Sequence, residues 1–228
     1  MTTTLTLPPL RLSDFKLIAF DMDSTLIDIE TVDEIADIAG CGPEVAAITE
    51  ATMRGEITDY KDSLRRRVAL LRGVPLSALQ AVYDQRLHLN PGAETLIAAC
   101  KTAGLRVVLL SGGFTFFTDR LRERLQLDDT RSNVLEIEDG RLTGRMLPQP
   151  WGDICDGEAK KDKLLECCRA MGIPPARAIA VGDGANDLPM MRVAGLSVAY
   201  HAKPLVREAA MLTIDEGGLD RLLDLLKP

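Results

Sequence analysis

Short apolar segments that end abruptly in polar loops are the feature that most restricts the fold of this sequence. Three are clear, at 15–20, 105–110 and 178–181, and a less marked one spans 196–199. Such runs are typical of strands buried on both faces of a parallel sheet. Between them, 92–103, 114–124, 159–171 and 187–193 carry apolar residues at the three- and four-residue spacing of helices. This alternation predicts an α/β fold with a doubly wound, parallel, Rossmann-like sheet.

The segment 31–88 departs from this pattern because it contains no convincing strand. It reads as several helices broken by glycine and proline, for example at 40–43 and 73–75. The turn formers of 90–92 mark the return to the alternating pattern. We therefore predict a core of 1–30 and 89–228 with a small inserted α-helical cap of 31–88. Within the core, 133–147 is expected to form a β-hairpin around Asp139-Gly140.

Charge and composition exclude two classes of partner. The 228 residues carry a formal net charge of −7, whereas a nucleic-acid surface needs an excess of basic residues. No apolar run approaches the roughly 20 residues that span a bilayer, and 1–13 lacks the basic start and apolar core of a signal peptide. The five cysteines are scattered, as expected for reduced thiols. We expect a cytoplasmic protein with no nucleic-acid or membrane partner.

Acidic residues follow two of the predicted strands. Asp21 and Asp23 come directly after the first strand, and Asp183 follows the 178–181 strand, with Asp187 close behind. An isolated Asp-x-Asp is better explained as ordinary punctuation of a strand end. Carboxylates from several strands, however, meet at one sheet edge and repel each other unless a cation lies between them. Hard oxygen ligands of this kind favour Mg²⁺.

A phosphate site is predicted beside these carboxylates. Ser111-Gly112-Gly113 offers a hydroxyl and accessible backbone N–H groups just before a helix that is expected to start near Phe114. Taken alone, this loop is equally consistent with a plain strand-to-helix turn. Lys160 adds a positive charge on the apolar side of its helix, whereas Lys161 and Lys163 are expected to be solvated.

An arginine in the predicted cap requires an anionic partner. In the helix around 60–71, Tyr60, Leu64 and Val68 share one apolar stripe, and Arg67 lies beside it. An arginine at the edge of an apolar face needs a counter-charge. A substrate carboxylate could provide a bidentate partner, and a salt bridge to a neighbouring Asp or Glu is the alternative.

These segments together resemble the four motif regions of the haloacid dehalogenase-like superfamily, over about residue 15 to the C-terminus. The resemblance implies that Asp21 attacks phosphorus to form an aspartyl-phosphate. It implies that Asp23 protonates the leaving alkoxide and later helps to deprotonate water. It further implies that Mg²⁺ is held by Asp21, Asp183 and the backbone carbonyl of Asp23, with assistance from Asp187 and Asn186. The phosphoryl oxygens would be held by Ser111, Gly112 and Lys160.

Within the superfamily, the chain is similar to enzymes that hydrolyse O-phospho-L-serine in serine biosynthesis and that act as monomers or homodimers. This similarity implies that Arg67 binds the substrate carboxylate and Glu30 its amino group. Met53, Tyr60 and Asn186 would complete the substrate site. Tyr60 stands where phenylalanine is usual, and the preceding loop is one residue longer. The alternatives are another small phosphomonoester or acceptor, and a signalling receiver domain, which needs neither a cap nor a leaving-group acid such as Asp23.

Overall fold

In the computed structural model, seven strands lie side by side in one sheet. They are β1 (Leu17–Phe20), β2 (Arg106–Phe114), β3 (Asp129–Glu138), β4 (Arg141–Leu147), β5 (Ala178–Gly182), β6 (Leu196–Tyr200) and β7 (Leu212–Ile214). Their order across the sheet is β4-β3-β2-β1-β5-β6-β7. The β3–β4 hairpin is antiparallel and every other neighbouring pair is parallel. The predicted fold class is therefore confirmed, and so is the hairpin.

The structure describes residues 10–54 and 56–226, and of Met53 only the backbone. Residues 1–9 of the predicted core segment 1–30, and residues 227–228, lie outside the described residues. The helices are α1 (Thr31–Ala39), α2 (Gly42–Met53), α3 (Tyr60–Leu70), α4 (Leu76–Gln85), α5 (Ala93–Thr102), α6 (Thr115–Leu125), α7 (Gly157–Ala170), α8 (Leu188–Val193), α9 (Pro204–Ala209) and α10 (Arg221–Leu225). Among the described helices, none is both long enough and apolar enough to cross a membrane.

The central strand β1 explains why helices cover both faces of the sheet. All four of its residues are buried. Because successive side chains of a strand point to opposite faces, Leu17 and Ala19 share a cluster with apolar residues of α7 and α8. Ile18 and Phe20 share the other cluster with residues of α5 and α6. A strand with no polar face can be stable only between two apolar layers, which is the doubly wound arrangement.

Four helices, α1 to α4, stand between β1 and α5 in the chain, and we refer to this segment as the helical insertion. Helix α1 packs against α2 and α4, and α2 packs against α3. Helix α3 also packs against β4 of the hairpin, so the insertion rests on the edge of the sheet. The two ends of the insertion lie together, because Ile27 and Leu89 form an antiparallel bridge. The Asn90 side chain fastens them by donating to the carbonyls of Thr25 and Ile27, at 2.8 and 3.0 Å.

One predicted turn is a strand in the structure. Ser111, Gly112 and Gly113 were expected to form a loop after the strand, but they belong to β2, and α6 starts only at Thr115. The pairing of β2 with β3 shifts register after Leu110 and resumes where Phe114 meets Asn133. Gly112 and Gly113 lie in the stretch where this pairing is interrupted, between Leu110 and Phe114, which are both paired. Pairing on either side keeps the two glycines within the strand, although glycine pairs ordinarily indicate turns.

Candidate active site

Two carboxylates meet at the sheet edge because β1 and β5 are parallel and in register. Phe20 is aligned with Val181, and the Asp21 backbone N–H donates to the Val181 carbonyl at 2.9 Å. Asp183 directly follows β5, and Asp187 ends the short turn after it. Carboxylate oxygens of Asp21, Asp183 and Asp187 lie within 4.8 Å of one another. We refer to these three residues as the acidic cluster.

Lys160 reaches the acidic cluster from the first turn of α7. Its side chain is completely buried, and its Nζ donates to Asp21 Oδ1 at 2.6 Å and to Asp187 Oδ1 at 2.8 Å. Asp156 caps this helix by accepting from the Ala159 N–H at 2.9 Å. Of the neighbouring lysines, Lys161 pairs with Glu158, and Lys163 pairs with Asp129 and Glu166. Among these three lysines, Lys160 is therefore the one placed at the acidic cluster. Lys163 was expected to be solvated, but it is buried against its two carboxylate partners.

Burial and mutual repulsion dominate the electrostatics of the cluster. Burial raises the pKa of Asp21 well above its usual value, and the charge of Asp187 raises it further. The same two causes raise the pKa of Asp183 to about 6. Burial works to lower the pKa of Lys160, but the charges of Asp187 and Asp21 outweigh it and raise that pKa. The ammonium group therefore stays charged.

The donor set fits a divalent cation. When all groups are ionised, three carboxylates face one ammonium group, so two negative charges remain uncompensated. Carboxylate oxygens are the ligands that hard cations such as Mg²⁺ prefer. Asp187 has a second task, because its Oδ2 accepts from the backbone N–H groups of Asp183 and Gly184 at 3.2 and 3.1 Å. That contact holds the loop after β5 around the cluster.

Asp23 lines the same cavity as Asp21 and Asp183, but its carboxyl group is bound by Thr31 of α1. It accepts from the backbone N–H and the hydroxyl of Thr31, both at 3.2 Å. Burial raises the pKa of Asp23 well above its usual value, and the charge of Glu30 adds to the effect. The residue after Asp23, Ser24, has a left-handed backbone conformation, with φ 55°. The Ser24 hydroxyl donates to Glu30 Oε1 at 2.8 Å, and Glu30 lines the same cavity as Asp23.

The end of β2, at residues 111–113, is fixed by hydrogen bonds that the sequence did not indicate. The Ser111 Oγ accepts from the Gly113 N–H at 2.8 Å. Asn133 of β3 donates to the Gly112 carbonyl at 2.7 Å and accepts from the Cys155 N–H at 2.8 Å. A buried strand asparagine has no sequence signature, so this bridging role was missed. Gly112 is close to the insertion, since a Cβ there would overlap the Tyr60 hydroxyl.

A cavity of about 500 Å³ lies between the insertion and the sheet edge. Most predicted site residues line it: Asp21, Asp23, Glu30, Tyr60, Arg67, Gly112, Asp183 and Asn186. Ser111, Lys160 and Asp187 lie behind these residues and are buried. Five further polar or charged side chains that line it were not predicted as site residues, namely Asp33, Thr49, Thr52, Ser63 and Lys203. The side chain of Met53, another predicted site residue, lies outside the described part of the chain.

Arg67 differs from the two arginines that precede it. Arg65 pairs with Asp153, and Arg66 pairs with Asp62 at 2.8 Å. Within residues 10–54 and 56–226, Arg67 forms no ion pair, and its buried Nε has no hydrogen-bond partner. The alternative expected from the sequence, a salt bridge from Arg67 to a neighbouring Asp or Glu, is therefore not found among the described residues. The cavity is left with an arginine that can bind an anion.

Comparison with known proteins agrees with this geometry. The profile of the haloacid dehalogenase-like hydrolases matches residues 18–192, and the chain belongs to this family. The phosphoserine phosphatase of Polaromonas sp. (strain JS666 / ATCC BAA-500) is 71% identical over 220 residues, which cover 96% of this chain and 93% of that protein. The predicted family resemblance is thus confirmed, and the receiver-domain alternative is not supported.

Two solved structures of phosphoserine phosphatase are similar along almost the whole chain. One is a phospho-aspartyl intermediate analogue and the other a substrate-bound complex. Each is 38% identical to this chain with a TM-score of 0.85, and the match covers 93% of this chain and 99% of the other. The fold described above is therefore similar to that of solved phosphoserine phosphatases.

Proposed function

We propose that this chain hydrolyses O-phospho-L-serine to L-serine and phosphate, with Mg²⁺ as the cofactor and a role in serine biosynthesis. The observation that carries the proposal is a single cavity with two different ends. One end is the acidic cluster with Lys160, which suits a metal and a phosphoryl group. The other end is the buried Arg67 Nε, which lacks a partner among the described residues. A phosphorylated amino acid carries groups that match both ends.

Asp21 is the proposed nucleophile. One of its carboxylate oxygens attacks phosphorus in line with the bond to the serine oxygen, and that bond breaks as the aspartyl-phosphate forms. Lys160 Nζ holds Asp21 Oδ1 at 2.6 Å, which fixes the carboxylate before substrate arrives. Burial raises the pKa of Asp21, but the charge of Lys160 works to lower it, and a bound cation would act in the same direction as Lys160, so both favour the ionised carboxylate that the attack needs. Positioning supplies much of the catalytic effect in phosphoryl transfer.

Asp23 is the proposed acid and base. The electron pair of the broken bond goes to the serine oxygen, which takes a proton from the Asp23 carboxyl. Burial and the Glu30 charge raise the pKa of Asp23, which favours the protonated form that this step needs. In the second half of the reaction, ionised Asp23 takes a proton from water as the water oxygen attacks phosphorus. Phosphate leaves and the Asp21 carboxylate is regenerated.

The cation would be held by the carboxylates of Asp21, Asp183 and Asp187 and by the backbone carbonyl of Asp23, with Asn186 assisting. When bound, it supplies positive charge that neutralises the phosphoryl oxygens during transfer.

The phosphoryl group would also be held by the end of β2. Because the Ser111 Oγ accepts from the Gly113 N–H, its own O–H remains available as a donor. The Gly112 N–H and the Lys160 ammonium group are the other two proposed donors.

The substrate's amino-acid part would lie against the insertion, which we propose to act as the cap, residues 31–88. Arg67 would bind the carboxylate with its guanidinium fork. Glu30 would accept from the amino group, and Tyr60 and Met53 would close over the substrate. The close approach of the Tyr60 hydroxyl to Gly112 supports this role.

The test is a comparison of phosphate release from phosphoserine, phosphothreonine, sugar phosphates and nucleotides, each with Mg²⁺ and with EDTA. We expect the highest kcat/KM for phosphoserine and loss of turnover in EDTA. If phosphoserine ranks no higher than the other compounds, the narrow assignment fails. Turnover that continues in EDTA would overturn the metal requirement.

Arg67→Lys tests the carboxylate end of the cavity. Lysine keeps the charge but loses the bidentate fork, so kcat/KM for phosphoserine should fall about tenfold to hundredfold. O-phosphoethanolamine, which has no carboxylate, should be affected much less. Arg66→Lys is the matched control, because Arg66 is paired with Asp62 on the exposed side of α3. Equal losses on the two substrates would contradict the role proposed for Arg67.

A further inference from the structure

Asp33 is an acidic residue of the cavity that the sequence did not indicate. It lies in the first turn of α1 and lines the cavity together with Glu30 and Arg67. Its Oδ1 is buried and has no hydrogen-bond partner in the described part of the chain. The Arg67 Nε is in the same condition. Within that part of the chain, these are the buried side-chain nitrogen and oxygen atoms that lack a partner, and both belong to residues of this cavity.

Two unpartnered atoms of opposite character in one cavity indicate a ligand with two complementary groups. Most buried polar atoms in proteins have partners, because leaving one unpaired is costly. Asp33 and Arg67 do not satisfy each other, since no ion pair within 4.0 Å joins them. Arg67 Nε offers a proton to an anionic group, and Asp33 Oδ1 offers a lone pair to a cationic one. An α-amino acid carries a carboxylate and an ammonium group on the same carbon.

The charges around Asp33 point the same way. Burial raises the pKa of Asp33, the charge of Glu30 raises it further, and the charge of Arg67 lowers it. Asp33 therefore lies within the electrostatic reach of both residues that would recognise the amino-acid part. Glu30 and Asp33 repel each other in the free protein, and a cation between them would relieve that repulsion.

We infer that Asp33 is a substrate-binding residue whose Oδ1 accepts a hydrogen bond from the ammonium group of the substrate, beside Glu30. This inference rests on the proposed function. An ammonium group has three N–H donors, and Glu30 already shares its Oε1 with the Ser24 hydroxyl. A second carboxylate therefore has a donor to accept from. The pair of carboxylates would select amino-acid phosphates over phosphates that lack the amino group.

The experiment compares Asp33→Asn with the wild type on three substrates. These are O-phospho-L-serine, O-phosphoethanolamine, which lacks the carboxylate, and 3-(phosphonooxy)propanoate, which lacks the amino group. We expect kcat/KM to fall about tenfold on the two amino compounds, because the amide oxygen of asparagine can still accept but lacks the charge that strengthens this hydrogen bond. On the compound without the amino group, the change should stay within about threefold, as no such bond is lost.

Asp37→Asn is the matched control. It makes the same chemical change one turn further along α1, at an exposed residue that pairs with Arg86. We expect the control to leave the ranking of the three substrates as in the wild type. Asp33→Ser is measured in parallel, so that a folding defect in one Asp33 variant leaves the other to test the inference.

Three patterns would overturn the inference. Equal losses on all three substrates would mean that Asp33 has a structural role. Losses on the two carboxylate compounds, with O-phosphoethanolamine spared, would mean that Asp33 acts by positioning Arg67. No loss on any substrate would mean that Asp33 does not contact the ligand. Failure of the proposed function can be distinguished from these three patterns. In that case the wild type itself, before any substitution, would show no preference for phosphoserine.

Discussion

Replacing Lys160 with methionine should destabilise the metal-free protein strongly. The lysine side chain is completely buried, and its Nζ donates to Asp21 Oδ1 at 2.6 Å and to Asp187 Oδ1 at 2.8 Å. Methionine has a similar volume, so little cavity forms. The variant instead leaves buried carboxylates without their cation, which costs about 3–5 kcal/mol when one partner of a buried pair is removed. Two hydrogen bonds between charged groups, at about 1.5–3 kcal/mol each, lead to a similar figure.

The assay is thermal unfolding at pH 8 in EDTA, where the carboxylates have most reason to ionise. For a chain of this length, about 2–4 °C per kcal/mol converts the expected loss to a fall in Tm of roughly 6–20 °C. Lys161→Met is the matched control, since the neighbouring Lys161 pairs only with Glu158 at the surface among the described residues. We expect Mg²⁺ to reduce the difference in Tm between Lys160→Met and Lys161→Met, because the ion brings positive charge to the same carboxylates. Lys160→Met and Lys161→Met unfolding at the same temperature in EDTA would refute this reasoning.

Three further outcomes are expected. Asp23→Asn should lower kcat for phosphoserine by about 10²–10⁴-fold and affect p-nitrophenyl phosphate less, because that leaving group needs no proton; equal losses would argue against an acid role. Gly112→Ala should lower kcat/KM about a hundredfold, because its Cβ would overlap the Tyr60 hydroxyl. Adding Tyr60→Phe to this variant should restore part of the lost kcat/KM. If it restores none, the overlap with the Tyr60 hydroxyl is not the cause of the loss. Mg²⁺ at a hundred times its Kd should stabilise the wild type by about 2.7 kcal/mol, and unchanged urea unfolding would contradict binding at the acidic cluster.

The central sheet could be predicted because its strands are buried on both faces. The 15–20 and 178–181 segments have few polar residues, so length and neighbouring loops identify them as parallel strands. The edge of the sheet could not be predicted in the same way. Strand β7, Leu212–Ile214, has three residues with a mixed burial pattern, and it takes its structure from pairing with β6. The short helices α9 and α10 were also missed, since five or six residues give a weak periodic signal, although the equally short α8 was predicted.

The candidate site was predictable where a residue type and its place at a strand end carry the information. Asp21 and Asp183 follow buried strands, and parallel register brings them together. Asp33 and Asn133 could not be found in this way. The importance of Asn133 depends on its bridge between the Gly112 carbonyl and the Cys155 N–H, and that of Asp33 on the cavity it shares with Arg67. Both relations join elements that are distant in sequence.

The most direct test of the proposed chemistry is to trap the covalent intermediate. The enzyme is mixed with Mg²⁺ and O-[³²P]phospho-L-serine and quenched in acid within one turnover. We predict radiolabel on the peptide that contains Asp21, released by hydroxylamine as an acyl phosphate is, and no label on Asp21→Asn. Asp162→Asn, an exposed change on α7, should label as the wild type does. Turnover without a labelled protein, or label retained by Asp21→Asn, would contradict a reaction through Asp21.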